Sequence, residues 1–260
     1  MSARRAMFRA ALAGLACLAL VLTAACNLQQ GEKKPRLTLF IGVDASGSFF
    51  STEDYEDSLS FLAHYIYGHM NGLGGLEVPR ELFVASIGGN DPDEPKAFHP
   101  YHDFQGKSIE EIEISLRDWF PAKDRYTDFN AFFRQVARIT KERNLVLAPV
   151  AVVIVTDGIP DTSPGKASGS PKEVYRQIDF SSLEYLARRV TLRLAYVSPK
   201  VGESWRTLVP RKRVRLWTVD AEVMRGWNEQ IDFDAEPAAQ HRLWNWIHDN
   251  VDFRVRSRRI

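Results

Sequence analysis

The sequence predicts an α/β fold: a doubly wound, mostly parallel open sheet with helices on both faces and one antiparallel edge strand. Three observations carry that prediction. Apolar runs at Leu37–Val43 and Val150–Val155 lack polar alternation and read as strands buried on both faces, and Val190–Val197 reads as a further strand. Segments with apolar residues at helical spacing lie between the strands, as crossover connections require. Two of the runs end in turn chemistry, Asp44-Ala45-Ser46-Gly47-Ser48 and Thr156-Asp157-Gly158, at the strand ends where such sheets have their ligand crevice.

Leu37–Val43 is the first strand. Ser51 is expected to cap a helix reaching about Tyr67, with Glu53 and Asp54 in its positively polarised first turn and Tyr55, Leu59, Leu62 and Ile66 on one face. Gly68–Gly75 is glycine-rich but lacks G-x-G-x-x-G and follows no strand, so it reads as a loop. Glu81–Gly89 is the second strand, and Asn90-Asp91-Pro92-Asp93 turns into an edge strand near Ala97–Phe104, where alone Pro100 is tolerable. Helices follow at Ile109–Phe120 and Thr127–Arg143, the second with Thr127 as N-cap and Phe129, Phe132, Phe133, Val136 and Ile139 on one stripe. After the strand at Val150–Val155, strands at Val190–Val197 and Arg213–Val219 complete the sheet. Helices at Glu222–Ile231 and Ala238–Val251 close the chain, the last burying Leu243, Trp244 and Ile247. Tryptophans 119, 205, 217, 227 and 244 are assigned to the core, and Trp246, off the apolar face, is a candidate contact residue. Pro160–Lys172 is rich in Pro, Ser, Gly and Asp and has no period; beginning just after Asp157, it reads either as a recognition loop or as a disordered insertion.

The D-x-S-x-S of Asp44, Ser46 and Ser48 puts three hard oxygen ligands on one short turn, which suits a small divalent cation. Alone it is also ordinary turn composition. Thr127, before its helix, and Asp157, after the apolar run Pro149–Val155, add two more oxygens in a fixed order along the chain. In that order the five residues resemble the von Willebrand factor type A domain with a complete metal-ion-dependent adhesion site. The resemblance spans roughly Pro35 to Ile231. It implies an open α/β sheet holding one Mg²⁺ or Mn²⁺ through Asp44, Ser46, Ser48, Thr127 and Asp157, with a carboxylate from a partner protein completing the ion. The chain departs from the family at Arg125-Tyr126, which stand where glycines usually precede the Thr.

Residues 1–25 contain Arg4, Arg5 and Arg9, no acid, and a charge-free stretch from Ala10 to Ala25 that is short for a membrane span. Its end, Leu22-Thr23-Ala24-Ala25-Cys26, resembles the lipobox of bacterial lipoproteins. The expected organisation is therefore a signal peptide at 1–25, a lipidated Cys26 with a polar tether to residue 35, and one domain with a C-terminal helical extension over 36–260. Cys17 lies in the part to be removed, so Cys26 is the single remaining thiol and no internal disulfide is possible. The location implied is a bacterial envelope, by membrane attachment through the N-terminal lipid, with the outer membrane slightly favoured by Asn27.

The formal net charge of +1 falls to about −2 once the three signal arginines are gone, which does not suggest a nucleic-acid binder. The basic clusters at Arg211-Lys212-Arg213 with Arg215, and at Arg254, Arg256, Arg258 and Arg259, read as solvated strand flanks and a frayed tail, the tail also within reach of phospholipid head groups. The strongest rival function is an actin-like-fold kinase or other Mg-dependent phosphoryl-transfer enzyme using the Asp44 loop, but Ser46 stands where that phosphate loop needs glycine. G-x-S-x-G is absent, and His99 and His102 beside Asp103 have no second pair at ligand spacing. A structural envelope lipoprotein with a silent metal loop is the third reading. The first reading is a non-enzymatic protein that binds an acidic partner through its metal.

Overall fold

The computed structural model describes residues 35–90, 96–121, 124, 126–160, 170–186 and 190–253. The expected signal peptide, Cys26 and most of the tether, most of the loop at 160–172, and the arginine-rich tail lie outside the described residues. Among the described residues no helix is long and apolar enough to cross a membrane.

Six strands form the main sheet: β1 (Thr38–Val43), β2 (Glu81–Ser86), β4 (His99–Pro100), β6 (Val150–Val155), β7 (Val190–Val197) and β8 (Arg215–Asp220). Their spatial order is β4-β2-β1-β6-β7-β8, parallel throughout except for β4, which runs antiparallel to β2. Counted within this sheet alone the order is 3-2-1-4-5-6, that of a doubly wound fold whose winding reverses between β1 and β6. A separate two-stranded ribbon pairs β3 (Gly88–Gly89) with β5 (Tyr126–Thr127).

β1 and β6 are buried at every position, as their unbroken apolar sequences require. Alternate residues feed two cores. Leu39, Ile41, Val43, Ala151, Val153 and Val155 pack with α2 (Asp54–Asn71), α3 (Ile109–Trp119) and α9 (His241–Asn250) on one face. Phe40, Val152, Ile154, Leu192 and Leu194 pack on the other face with α4 (Phe129–Glu142) and α7 (Pro199–Leu208). The stripe of α4 is the predicted one: Phe129, Phe132, Phe133, Val136 and Ile139 are all buried, each aromatic contributing roughly 1.5–3 kcal/mol.

Several boundaries differ from expectation for local reasons. Ser51 does not cap the long helix; a short helix α1 (Gly47–Phe50) intervenes, and the Ser51 hydroxyl donates to Gly47 O at 2.8 Å. α2 begins at Asp54 and takes residues 68–71 of the glycine-bearing stretch expected to be loop, ending before Gly72, after which Leu73–Gly75 turn as a 3-10 helix. The second strand breaks after Ser86, and Gly88–Gly89 leave the sheet to pair with β5. The edge strand shrinks to His99–Pro100, because proline cannot donate to the ladder and Tyr101–Asp103 turn into a 3-10 helix. The helix expected over 222–231 is split into α8 (Ala221–Met224) and a 3-10 turn at Asn228–Gln230. Two short helices, α5 (Pro171–Arg176) and α6 (Ser181–Glu184), and α7 were not anticipated. α9 buries Leu243, Trp244 and Ile247 as predicted, while Trp246 is half-buried against the same core rather than displayed.

Candidate metal centre at the switch point

Asp44 sits one residue past β1, and its N–H donates to Val155 O at 3.1 Å, so it continues the pairing with β6 to the point where the sheet reverses its winding. The side chain is fully buried. Its Oδ1 accepts from Ser46 N at 3.1 Å and from Thr127 Oγ1 at 3.3 Å, and its Oδ2 accepts from Thr156 Oγ1 at 2.5 Å. Burial pushes the Asp44 carboxyl up to about 6; hydrogen bonds from Ser46 and Thr156 pull it back, and the charge of Asp157 raises it again.

Ser46 occupies the N-cap position of α1 with no side-chain cap hydrogen bond, so its hydroxyl is turned to Ser48 Oγ, 3.4 Å away. Ser46 is buried and Ser48 exposed, which sets the opening of the site on the Ser48 side. The loop is pinned from beneath by Phe49, 1% exposed, whose ring meets Tyr55 edge-on at 5.9 Å and Tyr196 at 6.1 Å.

Thr127 reaches the site by a route the sequence did not reveal. It is in β5, opposite Gly88, and Asp128 N donates to Ile87 O at 3.2 Å, so the ribbon drapes Thr127 over the ends of β1 and β2. Thr127 is therefore not the helix cap: Asp128 is, accepting from Ala131 N at 2.8 Å, and the Thr127 hydroxyl is left for Asp44. Asp157 follows β6, is half-buried, and folds an Asx turn in which its Oδ1 accepts from Ile159 N at 2.9 Å. Gly158 has φ of 75°, and a Cβ there would stand 2.8 Å from Val197 and Val201, so the turn needs glycine. Trp205 Nε1 donates to Gly158 O at 2.7 Å and fixes the turn from the core side.

Two groups beside the site were missed. Thr156 was read only as part of a turn, yet its hydroxyl both donates to Asp44 and accepts from Gly158 N at 2.8 Å, coupling the two acid-bearing loops. Asp124 bridges Ser46 in parallel fashion, with Asp124 N donating to Ala45 O at 3.3 Å, and its carboxylate accepts from Ser86 Oγ. A Cβ on Gly88 would lie 2.5 Å from Asp124 Oδ2, so the close approach depends on that glycine. The Tyr55 hydroxyl is pushed up to about 12 by its burial and by the charges of Asp124 and Asp44.

The five residues expected to hold an ion offer two carboxylates and three hydroxyls, hard oxygens of the kind that suit a small divalent cation rather than a soft metal. Asp44, its carboxyl raised chiefly by burial and further by the charge of Asp157, is the kind of group a cation relieves. Among the described residues there is no cluster of three or more His, Cys, Asp or Glu side chains that could hold a metal, so the hydroxyls are essential to the fit. His99 is not part of any such site: its ring stacks on Trp119 at 3.7 Å.

No family model matches this chain, and no curated protein matches it. Solved structures do. The chain is similar to the SpRpn10 VWA domain at 10% identity and a TM-score of 0.41, covering 71% of this chain and 88% of that one. It is similar to the pilus adhesin SpaC from Lactobacillus rhamnosus GG at 13% identity and a TM-score of 0.47, covering 77% and 30%. It is also similar to proximal thread matrix protein 1 from the mussel byssus, solved with a zinc-occupied MIDAS motif, at 12% identity and a TM-score of 0.42, covering 81% and 47%. The chain thus spans less than half the length of the adhesin and of the byssus protein, and the chemistry of its site rests on its own residues.

Proposed function

We propose that this protein binds a partner protein through a divalent cation, Mg²⁺ or Mn²⁺, held by Asp44, Ser46, Ser48, Thr127 and Asp157 in the manner of a von Willebrand factor type A domain. The observation that carries the proposal is the buried Asp44 carboxylate at the winding reversal, with the Thr127 and Thr156 hydroxyls turned toward it, those of Ser46 and Ser48 turned toward one another, and a second acid alongside. The cation supplies a Lewis-acidic positive centre, and two protein carboxylates leave it short of anionic ligands, so an acidic side chain of the partner completes it. Phe50, at the end of α1, and Ile159, in the turn after Asp157, are each 46% exposed and offer apolar contact beside the opening. The protein acts as a binder rather than an enzyme, and it acts at a bacterial envelope, held there by lipid on Cys26.

Calorimetric titration of the full-length protein in nonionic detergent with Mg²⁺ and with Mn²⁺ tests the first step, and capture of partners from envelope extracts with and without EDTA tests the second. Saturable binding of either ion and EDTA-sensitive capture are expected. Absence of ion binding, or capture indifferent to EDTA, overturns the reading.

A further inference from the structure

At the opposite end of the sheet from Asp44, where β1, β6, β7 and β8 begin, the surface holds a cavity of about 200 Å³. Its floor is a patch of four residues on β7 and β8. In the parallel register Thr191 stands opposite Arg215 and Arg193 opposite Trp217, and all four line the cavity. The two-residue period of a strand makes the two arginines diagonal neighbours on one face, with the Trp217 indole beside them.

Arg193 is the unusual member. It is 5% exposed, an arginine on the buried face of a central strand. Its Nη2 donates to Phe253 O at 3.1 Å and lies 3.7 Å from Asp252 Oδ1, but its Nε has no hydrogen-bond acceptor among the described residues. Asp252 is already engaged: its Oδ1 accepts from Tyr65 Oη at 3.1 Å and stands 3.9 Å from His69 Nε2. A buried guanidinium donor left unmade is costly, and an entering oxyanion supplies the acceptor in a charge-assisted hydrogen bond. Arg215 is exposed at the same cavity and adds a second positive charge for the same group. Trp217, held edge-on by Phe253 at 5.1 Å, gives a flat wall, and Leu37 and Pro149 add apolar lining.

We propose that this cavity is a second ligand site, independent of the metal centre, for a small molecule carrying one oxyanion, carboxylate or phosphate, on a flat apolar body. The oxyanion meets Arg215 and, once the Arg193 side chain turns outward from its buried position, Arg193 Nε, while the body stacks on Trp217. Glu77 and Asp252 also line the cavity, so a cationic ligand is the rival.

Three probes with the same ring decide: benzoate, phenyl phosphate and benzylamine, each titrated into the full-length protein in nonionic detergent with EDTA present, and followed by tryptophan fluorescence and calorimetry. Saturable one-to-one binding of benzoate or phenyl phosphate is expected, the tighter of the two naming the head group, with no saturation by benzylamine. Arg215→Gln, at an exposed position, should keep the wild-type Tm and weaken binding at least tenfold, and Asp44→Asn should leave it unchanged. Arg193→Lys keeps the charge but removes Nε and should weaken binding as well; should it fail to fold, Trp217→Leu takes its place with the same expectation. No saturable binding of either anion, equal binding of benzylamine, or unaltered affinity in Arg215→Gln overturns the proposal.

Discussion

Asp44 is the group whose replacement separates the fold from the site. Its carboxyl is raised from 3.8 to about 6, chiefly by burial, so folding favours its protonated form. The sign follows: the stability tied to that proton is fully present below pH 3.8 and is lost as pH rises through about 6. A shift of that size is worth about 3 kcal/mol over the whole window, of which about 2 kcal/mol falls between pH 4 and pH 7.5. Asp44→Asn removes the titration but not the shape. Because both carboxylate oxygens accept from donors, the amide must set its NH₂ against one of them, at a pH-independent cost of about 1–3 kcal/mol. Ala is the poorer probe, since it leaves the Thr127 and Thr156 hydroxyls and Ser46 N–H all short of that acceptor.

The assay is urea unfolding of the full-length protein in nonionic detergent and EDTA, from pH 4 to 7.5, wild type against Asp44→Asn. Wild type should lose about 2 kcal/mol relative to the variant as pH rises, with other titrating groups such as Asp57 cancelling in the difference. At pH 7.5 with Mg²⁺ at about a hundred times its Kd, wild type should gain about 2.7 kcal/mol and the variant nothing. Parallel pH curves would refute the buried ionisation. Equal gains from Mg²⁺ would move the ion away from Asp44.

Asp128→Ala should cost about 1 kcal/mol in chemical denaturation by freeing Ala131 N, while Thr127→Ser, which keeps the hydroxyl, should leave Mg²⁺ affinity by calorimetry within a few fold. Gly158→Ala should lower stability by more than 1 kcal/mol and weaken Mg²⁺ binding together, because φ of 75° and the contacts with Val197 and Val201 both resist a Cβ beside Asp157; an unchanged Tm would refute the strain. Cys26→Ser should abolish acylation by mass spectrometry and release the protein from the membrane fraction, with Cys17→Ser indistinguishable from wild type; retention of the Cys26 variant would point to an uncleaved anchor.

What the sequence discloses here depends on the range of the interaction. β6 was predicted to the residue because burial on both faces writes an uninterrupted apolar run, and β7 has its expected bounds although Thr191 and Arg193 interrupt its apolar sequence. α5 and α7 were missed although Ser170-Pro171 with Glu173, and Ser198-Pro199, are local N-terminal signals: a capping box in the first case, a Ser198 side chain accepting from Val201 N in the second. Those were available and unread. Ser51 and Thr127 are a different failure, since both have N-cap chemistry and neither is the N-cap of a helix. At Ser51 the intervening α1 takes the chain's first turn, and at Thr127 a two-residue ribbon decides the conformation.

That ribbon also marks the limit of what the sequence discloses around Asp44. The oxygens of Asp44, Ser46 and Ser48 share one turn, so their spacing in sequence already fixes their proximity in space. Thr127 and Asp124 arrive from the far side of α3, held by Gly88 and Ser86, and nothing periodic marks either pairing. Gly88 must lack a side chain for Asp124 to lie where it does, and Asp124 in turn bridges the backbone of Ser46. A pair of residues in the second strand's broken end therefore positions the hydroxyl that Thr127 offers to Asp44. The break after Ser86, which a reading of Glu81–Gly89 as one strand passes over, is thus the feature that closes the oxygen set, because an unbroken strand would keep Gly88 in the main sheet and leave β5 without a partner.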